Sequence, residues 1–139
     1  MPERRHHRGL LDTSVVVALP DIQPSQLPGE AALSAITFAE LAAGPHATAD
    51  LDERARRQDR LQRLETTFEP IPFDGDTARA YGRVYAAVTI AGRKARDRRT
   101  LDLLIAATAL ALNLPLYTSN PDDFGGLEDL IEVVGVRSA

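Results

Sequence analysis

Four acidic positions lie far apart in this chain, and each stands at the edge of a short apolar run. They are Asp12 after Leu10-Leu11, Glu40 within Ile36-Thr37-Phe38-Ala39-Glu40-Leu41, Asp102 within Leu101-Asp102-Leu103-Leu104-Ile105, and Asp122-Asp123 in Thr118-Ser119-Asn120-Pro121-Asp122-Asp123-Phe124. Carboxylates where strands end and helices begin collect at one edge of an α/β sheet, which is where such folds carry their sites. Crowded carboxylates are unstable without a counter-charge, because each raises the cost of ionising the next. Hard divalent cations with oxygen ligands, Mg²⁺ or Mn²⁺, are the usual remedy.

The chain has 139 residues, enough for one domain with a proper core. Hydrophobic residues make up 44% and charged residues 26%, which is ordinary globular usage. Cysteine is absent, so disulfides, thiolate zinc sites and cysteine nucleophiles are excluded together. No apolar run reaches the length of a membrane span. The basic stretch 1–8 reads as a flexible tail without the long apolar core of a signal peptide, and a cytoplasmic protein is expected. Residues 9–139 read as the single domain.

Net charge is −4, so the molecule as a whole does not advertise nucleic-acid binding. Its cations are clustered, however. Arg54, Arg56, Arg57, Arg60 and Arg63 recur on one segment, and Arg93, Lys94, Arg96, Arg98 and Arg99 crowd the approach to Asp102. Both clusters read as a solvated helix face and loop, or as a rim that steers phosphate toward an acidic site.

A strand over 9–12 leads into a helix over 14–19. Pro20, Pro24 and Pro28 keep the next stretch irregular. A small-residue strand over 31–36 precedes a helix opened by Thr37 and stopped near Gly44-Pro45. A long charged helix covers 50–67 with Leu51, Ala55, Leu61, Leu64 and Phe68 at near-helical spacing. Pro70 and Pro72 make the strand over 69–73 short or place it at an edge. A helix over 74–91 closes at Gly92. The most apolar helix covers 100–112, and strands follow at 115–118 and 131–136. This alternation predicts an α/β fold with a mainly parallel sheet of four to five strands, covered by helices on both faces.

Each acidic position also has a local explanation. Asp12 suits a helix dipole, and Thr13 or Ser14 could cap the helix or bond a metal-bound water. Thr37-x-x-Glu40 has the form of a capping box. Thr100 would make an N-cap that leaves Asp102 in a favourable first turn, although an Asp among leucines is costly to desolvate without a partner or metal. Asn120-Pro121 is a good helix start. Capping does not predict that all four recur at the same topological edge.

With these segments together, the chain resembles the PIN-domain ribonucleases, specifically the VapC toxins of VapBC toxin–antitoxin systems. The resemblance rests on Leu11-Asp12-Thr13-Ser14, Thr37-Phe38-Ala39-Glu40-Leu41, Asp102-Leu103-Leu104-Ile105-Ala106-Ala107-Thr108-Ala109 and Thr118-Ser119-Asn120-Pro121-Asp122-Asp123-Phe124, in the family's order and spacing from about Gly9 to Val136. It implies a PIN-like fold and a metal site built from Asp12, Glu40 and Asp102. Asp123 is the fourth acid, with Asn120 as a polar or water-mediated contributor where family members carry Asp or Asn. Thr13 and Thr118 match hydroxyl residues that line such sites. Arg96, Arg98 and Arg99 are the candidate RNA contacts.

The implied chemistry is Mg²⁺-dependent hydrolysis of RNA, with Mn²⁺ as a substitute, leaving a 5′-phosphate and a 3′-hydroxyl. Targets would be exposed bases in tRNA loops, rRNA or mRNA, although aromatic content of 5% gives no obvious stacking platform. Implied partners are a VapB-like antitoxin, which alone would contact DNA, and a second copy in a homodimer; no membrane is involved. Val15, Val16, Leu19, Leu61 and Leu64 either anchor that antitoxin or fill the core. Two other readings stay open. A catalytically silent PIN-like binding module would be expected to lose its acids. A phosphatase of the haloacid-dehalogenase kind would want a second Asp where Ser14 stands.

Overall fold

The computed structural model describes residues 6–92 and 98–138. Its strands are β1 (Arg8–Leu11), β2 (Glu30–Ala32), β3 (Leu116–Thr118) and β4 (Val133–Gly135). Its helices are α1 (Thr13–Val17), α2 (Ala35–Ala43), α3 (Leu51–Thr67), α4 (Gly75–Ile90) and α5 (Arg98–Leu112). The strands form one wholly parallel sheet in the order β2-β1-β3-β4. This is the expected α/β architecture.

Period-two alternation divides the sheet's side chains between two cores. Leu10 and Leu116 are paired in register and face α4 and α5, where they join Val84, Val88, Leu103 and Ile105. Their neighbours Leu11 and Tyr117 face the opposite way, toward Val15, Val16, Leu41, Leu61 and Leu64. Each fully buried aliphatic side chain stabilises the fold by about 1.5–3 kcal/mol. Val15, Val16, Leu61 and Leu64 are therefore committed to the core, with Leu19 packed against it, and they are not free anchors for an antitoxin. Among the described residues, the large apolar side chains that remain exposed are Val17, Leu51, Phe73, Tyr85, Ile90, Leu101 and Leu112.

Several boundaries move from the sequence-based expectation. The first strand begins at Arg8, and the carbonyls of His6 and His7 accept the N–H groups of Gly29 and Glu30, so this part of the proposed tail belongs to the sheet's edge. α2 opens two residues before Thr37, because Ser34 is its N-cap and accepts the Thr37 N–H at 3.1 Å. The stretch 69–73 contributes only the bridge between Ile71 and Ser34. Pro70 and Pro72 have no N–H to donate on either side of Ile71.

The arginines of α3 are also not one solvated face. Arg54 donates to the carbonyls of Pro45 and Thr48, and Arg57 donates to that of Gly44 at 2.8 Å. These carbonyls belong to the 3₁₀ turn Gly44–Ala47 that follows α2 and to Thr48 just after it. Arg56 pairs with Glu53 on its own helix.

Candidate active site

β1 and β3 are parallel neighbours, so Asp12 and Thr118 lie side by side at the carboxyl edge of the sheet. The chain reverses its direction of strand addition between these two strands, and that switch point is where a crevice opens in such sheets. The Asp12 backbone N–H donates to the Tyr117 carbonyl at 2.8 Å, which ties the end of β1 to β3.

Asp12 is buried, only 5% exposed. Its carbonyl accepts the first N–H groups of α1, but its side chain does not cap that helix. The carboxylate turns toward β3 instead. Its Oδ2 accepts hydrogen bonds from Ser14 Oγ at 2.7 Å and from Thr118 Oγ1 at 2.9 Å. The two hydroxyls in turn accept the backbone N–H groups of Ser119 and Asn120, each at 3.0 Å. Two amide dipoles from the loop after β3 are thereby relayed onto one oxygen of Asp12.

Glu40 faces the same crevice from α2. Because Ser34 caps the helix, Thr37 is its third residue and Glu40 lies a turn further on, which removes the capping-box explanation. Glu40 Oε1 accepts a hydrogen bond from Thr13 Oγ1 at 2.8 Å. Burial raises the proton affinity of the Glu40 carboxyl above the ordinary range, the Thr13 hydrogen bond opposes this, and the negative charge of Asp12 adds to it. Among the described residues, Asp12 Oδ1 and Glu40 Oε2 receive no hydrogen bond.

Asp102 is half-buried on α5, a helix that packs against α2 and the 3₁₀ turn Pro121–Phe124. α5 starts at Arg98, so Thr100 is not its cap and Asp102 lies beyond its first turn. The dipole explanation is thereby removed for Asp102 as well. Asp123 and Asn120 are exposed at the 3₁₀ turn; the Asn120 side chain makes no capping bond there, and its backbone N–H serves Thr118. Among the described residues, no three Asp, Glu or His side chains stand close enough together to form a ready metal cage. The structure thus brings together Asp12, Thr13, Glu40 and Thr118. It leaves Asp102 and Asp123 on the adjoining elements. Arg96 lies outside the described residues; Arg98 and Arg99 fall on the first turn of α5, and their side chains lie outside the description.

Sequence reading underrated Ser14 and missed Ser34 and Thr37 as members of this network. Ser14 could have been found from its place two residues after Asp12, where an Asx-type contact is within reach. The only signal for Ser34 and Thr37 is their spacing of three, which puts the side chain of one over the N–H of the other at a helix start.

Residues 9–128 match the PIN domain family. The chain is 35% identical over 132 residues to ribonuclease VapC5 of Mycobacterium tuberculosis, covering 93% of this chain and 94% of that protein. Among solved structures it is similar to VapBC-5, a member of the VapBC family of toxin–antitoxin systems from M. tuberculosis, with a TM-score of 0.82, 36% identity and coverage of 94% and 99%. It is also similar to FitAcB from Neisseria gonorrhoeae, with a TM-score of 0.72, 26% identity and coverage of 91% and 96%.

Proposed function

The chain belongs to the PIN-domain family, in its VapC branch, and from that premise we propose that it is the ribonuclease toxin of a toxin–antitoxin pair. The activity is hydrolysis of RNA phosphodiester bonds assisted by a divalent cation, Mg²⁺ with Mn²⁺ as substitute. The observation that carries this reading is the buried Asp12 carboxylate at the β1–β3 switch point, held through one oxygen by Ser14 and Thr118 while Glu40 crowds it from α2.

Asp12, Glu40, Asp102 and Asp123 are the acids that would hold the cation, with Asn120 beside them. The donors suit a hard ion, since all are oxygens. Asp12 Oδ1 and Glu40 Oε2 have no hydrogen bond to give up among the described residues, and the like charges of Asp12 and Glu40 call for a counter-charge. When bound, such an ion supplies charge that acidifies the attacking water and offsets the negative charge growing on the phosphoryl group. The protein contributes orientation. Ser14 and Thr118 hold Asp12 to one rotamer, and Thr13 keeps Glu40 turned toward it.

Histidine chemistry is poorly placed to compete. His6 is bonded to Glu132 at 2.8 Å beside the amino ends of β1 and β4, the opposite edge of a parallel sheet from Asp12. His46 and His7 are exposed. Hydrolysis by water then leaves a 5′-phosphate and a 3′-hydroxyl. Bases in single-stranded loops are the accessible targets.

The proposed partners are a VapB-like antitoxin, through which any DNA contact would pass, the RNA substrate, and a second copy of the chain. The similarity to toxin–antitoxin structures supports the first of these. Mass analysis of an RNA digest with and without EDTA tests the nuclease reading: EDTA-sensitive fragments with 5′-phosphates are expected, and cleavage indifferent to EDTA would overturn it. Co-expression with the small open reading frame beside the gene tests the partner. A complex on size exclusion and relief of growth inhibition are expected, and failure of both would remove the toxin role while leaving the nuclease standing.

A further inference from the structure

One group of buried hydroxyls is used by neither the fold's ladders nor the contacts that hold Asp12. Thr37 is fully buried and Ser34 nearly so, and both lie under the crevice at the start of α2. Thr37 Oγ1 is 3.0 Å from Thr13 Oγ1 and 3.4 Å from Ser34 Oγ. Thr13 Oγ1 is 2.8 Å from Glu40 Oε1. The direction of these bonds can be deduced. A hydroxyl has one proton, and an ionised carboxylate only accepts. Thr13 Oγ1 is oriented to donate to either Thr37 Oγ1 or Glu40 Oε1 but carries a single proton, and the shorter, charge-assisted contact to Glu40 takes it. Its oxygen is then open to accept from Thr37. Among the described residues the Thr37 proton has only Thr13 and Ser34 to go to, and a buried hydroxyl proton without an acceptor is costly. Ser34 Oγ already accepts the Thr37 N–H, and its own proton points along the chain to Thr37 Oγ1.

We propose that Ser34, Thr37 and Thr13 form a directed chain of hydroxyls that ends on Glu40 and holds its carboxylate against Asp12, making Ser34 and Thr37 positioning residues for the proposed reaction. The proposal rests on the nuclease reading for its purpose, but its geometry does not depend on it. Asp12 and Glu40 repel one another, and a free Glu side chain would swing away into solvent. Thr13 sits next to Asp12 on the backbone, so a proton fixed between Thr13 and Glu40 keeps the second carboxylate at the first. Each donor upstream polarises the next, so the bond reaching Glu40 is stronger for having Thr37 behind it. The chain also links the end of β1 to the N-cap of α2, which keeps the two acids in register.

The test uses Thr37→Val, which keeps shape and removes the hydroxyl, and Thr37→Ser, which keeps the hydroxyl and removes a methyl. Thr108→Val is the control, since Thr108 is equally buried on α5 and donates only within its helix, to the Leu104 carbonyl. Mn²⁺ affinity is read by electron paramagnetic resonance titration, and kcat and KM on RNA are measured separately. Thr37→Val is expected to weaken Mn²⁺ binding by about 10- to 100-fold, as loss of groups that orient a ligand does, and to lower kcat with KM unchanged. Thr37→Ser and Thr108→Val should retain wild-type affinity. Equal loss in Thr37→Val and Thr37→Ser, or none in Thr37→Val, would overturn the proposal. A second readout needs no metal: NMR of the metal-free protein should show slowly exchanging hydroxyl protons on Thr13 and Thr37, with that of Thr13 lost to exchange in Thr37→Val. Rapid exchange of both in the wild type would overturn the chain itself. Protected hydroxyls in a wild type that neither binds Mn²⁺ nor cuts RNA would overturn the nuclease reading and leave the chain standing.

Discussion

Asp12 is gripped through one oxygen, and Glu40 is half-buried beside it with its proton affinity raised. The two facts predict opposite effects of mutation on stability. Thr118 is fully buried, donates to Asp12 and accepts from the Asn120 N–H. Thr118→Val should cost about 1–3 kcal/mol, because it takes a hydrogen-bond donor from the buried Asp12 carboxylate, and lower RNA cleavage by about 10- to 100-fold. Urea unfolding and a cleavage assay read the two separately. Glu40→Gln should instead raise the melting temperature of the metal-free protein at pH 7 while abolishing cleavage. The sign follows from linkage: a carboxyl whose folded-state proton affinity is raised is disfavoured when ionised, so the wild type loses stability as pH rises through its folded-state titration. The advantage of Glu40→Gln should therefore shrink as pH falls and vanish below the ordinary Glu value of 4.5. Melting curves across that range check it, and an advantage that persists at low pH would contradict the assignment. That Asp12 and Glu40 would meet at one edge was legible in the sequence, because both stand at apolar runs beside a helix start; Asp102 and Asp123 lie on the adjoining elements. The hydroxyls were harder to see, since Ser and Thr are common at helix starts and only their contacts across segments distinguish them.

At the scale of elements, the approach of β1 to β3 depends on Gly9. A Cβ added there would run into the Tyr117 ring, with the Pro28 side chain 3.1 Å away on another side. Gly9→Ala should destabilise the protein by about 1–3 kcal/mol through overpacking. The urea midpoint should fall with little change in slope, and an unchanged midpoint would mean that Tyr117 swings clear at no cost. The long helices could be read from the sequence because their apolar spacing is regular and their caps are plain: Asp50 caps α3 and Asp74 caps α4. The start of α2 could not be fixed that way. Ser34 and Thr37 are both acceptable caps, and tertiary contact chooses between them by pairing Ile71 with Leu33 and Ala35 on either side of Ser34. The same holds for Arg54 and Arg57. Their period suggested a solvated face, whereas their partners are carbonyls on a neighbouring segment, which no local pattern records.

At the scale of the molecule, a parallel sheet with a core on each face brings residues from β1, α2 and the loop after β3 to one edge. This is why acids so distant in sequence can act together. The order β2-β1-β3-β4 sets the crevice, and the match to the PIN domain family over residues 9–128 says that the arrangement is shared. We propose that the Asp12 carboxylate at this switch point anchors a metal-dependent hydrolytic centre. The direct measurement is mass analysis of the ends released from a defined RNA by the wild type and by Asp12→Asn, each with Mg²⁺ and with EDTA. Ends carrying 5′-phosphate and 3′-hydroxyl are expected only from the wild type with Mg²⁺, and Asp12→Asn is expected to be folded and inactive. Undiminished cleavage by folded Asp12→Asn, cleavage in EDTA, or ends carrying a 2′,3′-cyclic phosphate would contradict it.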